Sequence, residues 1–144
     1  MANYNCVQRT NYFHVKDPEA FRNLMTKVEA EDLSLWEDKD EAGNQIFAFG
    51  CYGSIAGIPF RNEEGELETG DESYDDFLTE LQKCIEENDA IILIESGYEK
   101  LNCVSGFATV ITGDSIEYLD LSRAALGLAR RMLGNEKYDP RMDY

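Results

Sequence analysis

The chain is poor in several things, and each shortage removes a class of protein. It has 13 lysines and arginines against 29 aspartates and glutamates, a formal net charge of −16 over 144 residues. A field of that sign repels phosphate backbones and anionic lipid, so direct nucleic-acid binding and membrane binding are not expected. There is one histidine, His14. The four cysteines, Cys6, Cys51, Cys84 and Cys103, are scattered, with no C-x-x-C pair and no zinc-like spacing. Reduced thiols and no structural metal follow. No apolar run approaches the length of a membrane span. Met1-Ala2-Asn3-Tyr4-Asn5-Cys6 has no basic region followed by an apolar core, so a cytoplasmic setting is expected.

What the chain does contain is enough apolar material for a core. Hydrophobic residues make up 43% of it, with seven Phe and eight Tyr, which sets the chain apart from disordered acidic sequences. A single domain over 1–144 is expected. The stretch Ile91-Ile92-Leu93-Ile94 reads as a central strand buried on both faces. Gln8 to Val15 reads as a first strand. Asp17-Pro18-Glu19 is a helix start, with a capping carboxylate and proline at the first helical position. Phe21, Leu24, Met25 and Val28 supply its apolar face, and the helix is expected to end near Glu29 to Glu31. Residues 33–38 and 45–52 read as a β-hairpin around Gly43-Asn44. Gly53 and Gly57 suggest an irregular loop, or a place where a partner approaches the backbone.

Residues 61–76 carry eight acids against Arg61. An exposed acidic loop or short hairpin is expected over about 61–73. Ser73, with Asp76 three residues on, starts a second helix bearing Phe77, Leu81, Cys84 and Ile85. Strands over 102–111 and 115–119 follow. A third helix starts at Asp120 or Ser122, with an apolar stripe of Leu121, Ala125, Leu128, Ala129 and Met132 expected to lie against the sheet. Gly134-Asn135 is its stop, and a loose tail is expected over 136–144. The expected class is α+β, a mixed or antiparallel sheet with three helices in the order β-α-β-β-α-β-β-β-α. Its first six elements match a split β-α-β unit of ferredoxin-like type.

Catalytic motifs are missing. A Cys–His or Ser–His pair would need His14 beside a thiol or Ser96, and no serine sits in a G-x-S-x-G elbow. The glycines at 50, 53 and 57 do not form a phosphate loop. Asp38-Lys39-Asp40-Glu41-Ala42-Gly43 imitates a calcium loop, but Ala42 and Phe49 stand where the fifth and twelfth ligands belong. No cofactor and no metal are expected, and the chain reads as a binding protein more readily than as an enzyme.

Two readings of function remain. In the first, Glu37, Asp38, Asp40 and Glu41 act with Glu63, Glu64, Glu66, Glu68, Asp71 and Glu72 as an acidic surface that engages a basic protein. Spaced carboxylates can imitate a phosphate backbone. The bland alternative is a solvated acidic surface without a partner. In the second, a ligand or enzymatic pocket forms around His14, Tyr52, Ser54, Glu95, Ser96, Tyr98 and Glu99, where glycine-rich turns leave strand ends. An immunity protein against a basic toxin is a further variant of the first. Arg123, Arg130, Arg131, Lys137 and Arg141 gather near the C-terminus. They suit the acidic loop within one chain or across a homodimer.

Four stretches carry a resemblance: Thr10-Asn11-Tyr12-Phe13, Phe49-Gly50-Cys51-Tyr52-Gly53-Ser54-Ile55, Glu95-Ser96-Gly97-Tyr98-Glu99-Lys100-Leu101 and Met132-Leu133-Gly134-Asn135. Together they resemble a group of uncharacterised short acidic proteins carried on plasmids and integrative conjugative elements of Gram-positive gut bacteria. The resemblance implies a mobile-element accessory protein in a bacterial cytoplasm. It implies no catalytic residues. Inhibition of a nucleic-acid-handling enzyme follows from it by analogy alone.

Overall fold

Nine strands and three helices make up the computed structural model, which describes residues 4–61 and 67–141. In chain order they are β1 (Asn5–Thr10), α1 (Pro18–Thr26), β2 (Glu29–Ala30), β3 (Ser34–Lys39), β4 (Gln45–Tyr52), β5 (Ile55–Arg61), β6 (Leu67–Ser73), α2 (Tyr74–Cys84), β7 (Ile91–Glu99), β8 (Cys103–Ile111), β9 (Ile116–Asp120) and α3 (Leu121–Leu133). Six strands form one sheet in the order β3-β4-β1-β7-β8-β9, and β2-β5-β6 form a second. Every pairing is antiparallel. The fold is α+β.

The helix ends obey local chemistry. The Asp17 carboxylate accepts from the backbone N–H of Glu19 and Ala20 at 3.1 and 3.3 Å, and Pro18 opens α1. Ser73 Oγ accepts from Asp76 N–H at 3.1 Å at the start of α2. Asp120 caps α3, and Gly134 closes it in the left-handed region at φ 63°. The hairpin of β3 and β4 turns through Gly43, also at positive φ.

Three strands depart from the sequence reading. β2, β5 and β6 are inserted into the uninterrupted β-α-β-β-α-β run expected of a ferredoxin-like unit. β2 also shortens α1, because Glu29 and Ala30 pair with β5 instead of continuing the helix. Gly57 belongs to β5, and its bare Cα lies against the backbone of Ser73, so the glycine serves a close approach within the chain. β5 and β6 form a hairpin. Residues 62–66, within the expected acidic loop, lie outside the described residues.

The core fills the space between α1, α2 and one face of the large sheet. Phe13, Phe21, Phe47, Phe49 and Phe77 are fully buried. They meet as a chain of rings, with centroids 5.5 Å apart for Phe13–Phe21, 4.9 Å for Phe21–Phe47 and 5.9 Å for Phe49–Phe77. Ile91 and Leu93 of β7 join this face. β7 lies centrally, as expected, but it is not buried on both faces. Ile92 and Ile94 alternate outward and stay exposed, Ile94 by 54%. Helices and the small sheet cover only one side of the large sheet at this point. The expected burial of the α3 stripe also fails, because α3 has no buried residue. No described helix is long and apolar enough to cross a membrane.

Candidate functional site

The residues singled out from sequence separate into three places. His14 occupies the first. Its Nε2 lies 2.7 Å from Asp40 Oδ2 and its Nδ1 lies 2.8 Å from Asp89 Oδ2. Two facing carboxylates favour the imidazolium, which donates from both nitrogens. The hydrogen bonds to Asp40 and then Asp89 raise the His14 pKa. The same contact, with backbone N–H donors from Asn44 and Ala42, lowers the Asp40 carboxyl to about 2. Asp40 Oδ1 accepts from Ala42 N–H at 2.9 Å and Asn44 N–H at 2.8 Å, which shapes the β3–β4 turn. His14 therefore fastens a hairpin tip to the entry of β7. Its ring is committed to structure and is not placed to activate a nucleophile.

The second place is the acidic hairpin. Arg22 grips Glu37, with Nη2 2.7 Å and Nε 3.2 Å from Oε1. Glu37 is held below the usual carboxylate range by that contact. Asp38 and Glu41 are exposed. Glu63, Glu64 and Glu66 lie outside the described residues, as do the side chains of Glu68 and Asp71, while Glu72 is half-buried at the end of β6. Of the six acids from the second stretch, only Glu72 has a described side chain.

The third place is an open cleft of about 420 Å³ at the end of β1, where Asn5 and Cys6 no longer pair with β4. Tyr52, Ser96 and Tyr98, all named from sequence, line it together with Tyr4, Cys6 and Glu31. Val7 pairs with Tyr52 on one side and Ser96 on the other, and Asn5 pairs with Tyr98. Cross-strand partners share a face, so Tyr52 and Tyr98 rise from the outer face on either side of β1. Two strand spacings separate their backbones, about 10 Å. Glu31 closes one end: its carboxylate sits where a side chain on Gly53 would stand, and Gly53 has φ 128°.

Behind the cleft, the inner face is polar. The Tyr4 hydroxyl hydrogen-bonds Ser105 Oγ at 2.5 Å and donates to Glu95 at 3.1 Å. Burial and Glu95 push the Cys6 thiol up, against a hydrogen bond from Ser54. Burial, then Cys6, Glu31 and Glu95, push the Cys51 thiol up to about 11. Burial first, and then the nearby carboxylates, disfavour the thiolate of both, the reverse of an activated cysteine. Glu99 ends β7 opposite Cys103, beyond the cleft. His14 belongs to the far end: from Asp89 to Tyr98 the chain runs about 30 Å of extended backbone. The residues imagined as one pocket thus divide, with Tyr52, Ser96 and Tyr98 at the cleft, Glu95 and Ser54 behind it, and His14 apart.

Sequence reasoning missed Tyr4, Cys6 and Glu31. The first two precede Gln8, where the first strand was expected to begin, although Tyr4, Cys6, Gln8 and Thr10 alternate as one face of a strand. Among the described residues no group of three or more His, Cys, Asp or Glu is placed to hold a metal ion. Set against protein-family models, curated proteins and solved structures, the chain has no match.

Proposed function

We propose that the chain is a non-enzymatic binding protein whose acidic, tyrosine-lined surface takes cationic side chains of a basic protein. The cleft between Tyr52 and Tyr98, closed by Glu31, is the observation that carries this reading. A cation is attracted to an aromatic face when it lies within about 6 Å of the ring centroid. Rings on strands about 10 Å apart leave room for one lysine or arginine head between them. The net charge of −16 supplies long-range attraction, which raises the rate of encounter and weakens with salt. The thiols held protonated and the histidine tied to two aspartates speak against acid–base or nucleophilic chemistry. The resemblance to mobile-element proteins suggests a partner among nucleic-acid-handling proteins of the host.

The test titrates choline and its uncharged carbon analogue into the full chain, followed by the tyrosine NMR resonances. The reading expects shifts at Tyr52 and Tyr98 with choline only. A lysine-rich peptide should compete, and the double variant Tyr52→Ala, Tyr98→Ala should lose both responses. Equal shifts with the uncharged analogue, or none with either, would remove the reading.

A further inference from the structure

We infer that two copies of this chain pair reciprocally, α3 of each lying along the outer face of β1 and β7 of the other. The inference starts from two surfaces that lack a covering layer. On α3, Leu121, Ala125, Leu128 and Met132 recur at spacings of four, three and four, a single stripe along the helix. All four are exposed, Leu121 by 62% and Met132 by 78%. The helix meets its own chain along β8 and β9, where Leu121 rests over Gly106. Leu126, Gly127, Ala129 and Arg130 are its more sheltered positions, so beyond Leu121 the stripe, from Ala125 to Met132, points elsewhere.

The second surface is a groove of about 440 Å³ over β1 and β7, with Val7, Ile92 and Ile94 as its apolar lining. Antiparallel strands covered on one side usually turn polar residues outward. β7 turns out Ile92, Ile94 and Tyr98 instead. Through Asn11 and Ile92 the groove continues into a second depression bordered by Glu87, Asp114 and Lys16.

Shape and charge agree. A helix of 13 residues is about 20 Å long, and the groove with the depression it runs into, from Ser96 past Ile92 to Ala90, covers about the same length and stops short of Tyr98. α3 contains Arg123, Arg130 and Arg131 and no acid, in a chain that is otherwise strongly acidic. With the stripe on Ile92 and Ile94, Arg131 lies at its flank and reaches toward Glu87 and Asp114, while Arg123 and Arg130 lie on the opposite side of the helix and Arg130 is held by the Tyr138 carbonyl and Asp139. A stable pair needs about 800 Å² from each partner. Two helix-to-groove contacts related by a two-fold axis divide that requirement, and the assembly closes at two. A second copy is the fitting occupant because one chain holds both complementary halves.

The experiment measures the mass of the full chain in solution by light scattering and sedimentation. The expected value is twice the chain mass of 16.4 kDa. Leu128→Glu with Met132→Glu should give a monomer, and so should Ile94→Glu. These side chains are exposed, so circular dichroism should show an unchanged fold. Arg131→Glu and Glu87→Arg should each weaken the dimer at least tenfold, more visibly at low salt. A native monomer up to the solubility limit overturns the inference. So does a dimer that survives the helix variants, or one that they abolish but Ile94→Glu leaves intact.

Discussion

The backbone N–H and the ring Nδ1 of His14 converge on the same oxygen of Asp89, at 2.7 and 2.8 Å. Asp40 holds the other ring nitrogen, so the imidazolium joins two segments that are distant in sequence. The direction of the pH effect follows. A histidine whose pKa is raised by folding stabilises the fold fully below its unfolded pKa, near 6.5, and loses that contribution as pH rises through the folded value. The Asp40 contribution is present above its ordinary 3.8 and is lost as pH falls toward about 2. The melting temperature should therefore be lower at about pH 8 than at about pH 5. His14→Gln should flatten that alkaline slope. A slope unchanged in the variant would show that other groups set it.

Phe47 ends the chain of rings, fully buried and 4.9 Å from Phe21. Phe47→Ala should cost about 3–5 kcal/mol in urea unfolding, as transfer energy and a cavity add together. Ile94→Ala, on the bare outer face, should change the stability of the monomer by less than about 1 kcal/mol.

Gly43 and Gly57 separate conformational strain from collision. Both have positive φ, 85° and 124°. A Cβ at Gly43 meets nothing within 4 Å, whereas at Gly57 it runs into the Ser73 carbonyl. Gly43→Ala should cost about 1–2 kcal/mol from backbone conformation alone. Gly57→Ala should cost more, and it should disturb α2, because Ser73 is the residue that caps it. Thermal melts of the two variants, with hydrogen exchange at the first turn of α2, make the comparison.

The cysteines should react in order of access. Cys103 is exposed, Cys6 is half-buried with a raised pKa, and Cys51 is buried with a thiol at about 11. A disulfide reagent at about pH 8 should modify Cys103 first and Cys51 only on unfolding. Fast labelling of Cys6 or Cys51 in the native chain would mean that the cleft activates a thiol.

The helix starts were legible because caps are local. Asp17-Pro18, Ser73 with Asp76, and Asp120 each satisfy backbone N–H groups within three residues. The hairpin of β3 and β4 was legible for the same reason, through Gly43. β5 was not, since Gly53 and Gly57 read as an irregular loop, and only the approach of Ser73 gives Gly57 a place in a strand. The two-sided burial of Ile91 to Ile94 was misread because an aliphatic run does not say which face acquires a covering layer. The stripe of α3 misled in the same way: periodicity marks a face as apolar without naming what meets it. At the cleft, Tyr52, Ser96 and Tyr98 were found from the turns beside them. Glu31 was hidden among other acids, and only its contact with Gly53 distinguishes it.

The position of β1 governs when the large sheet can exist at all. The strand is inserted between β4 and β7, so Val7 waits for Tyr52 on one side and Ser96 on the other. During synthesis β1 emerges before β7 and keeps an open edge until β7 has followed it. Pairings so distant along the chain form slowly, and an unpaired strand is the form most prone to join a neighbouring chain. The density of negative charge bears on that interval, since growing chains that repel one another are less apt to meet before β7 arrives.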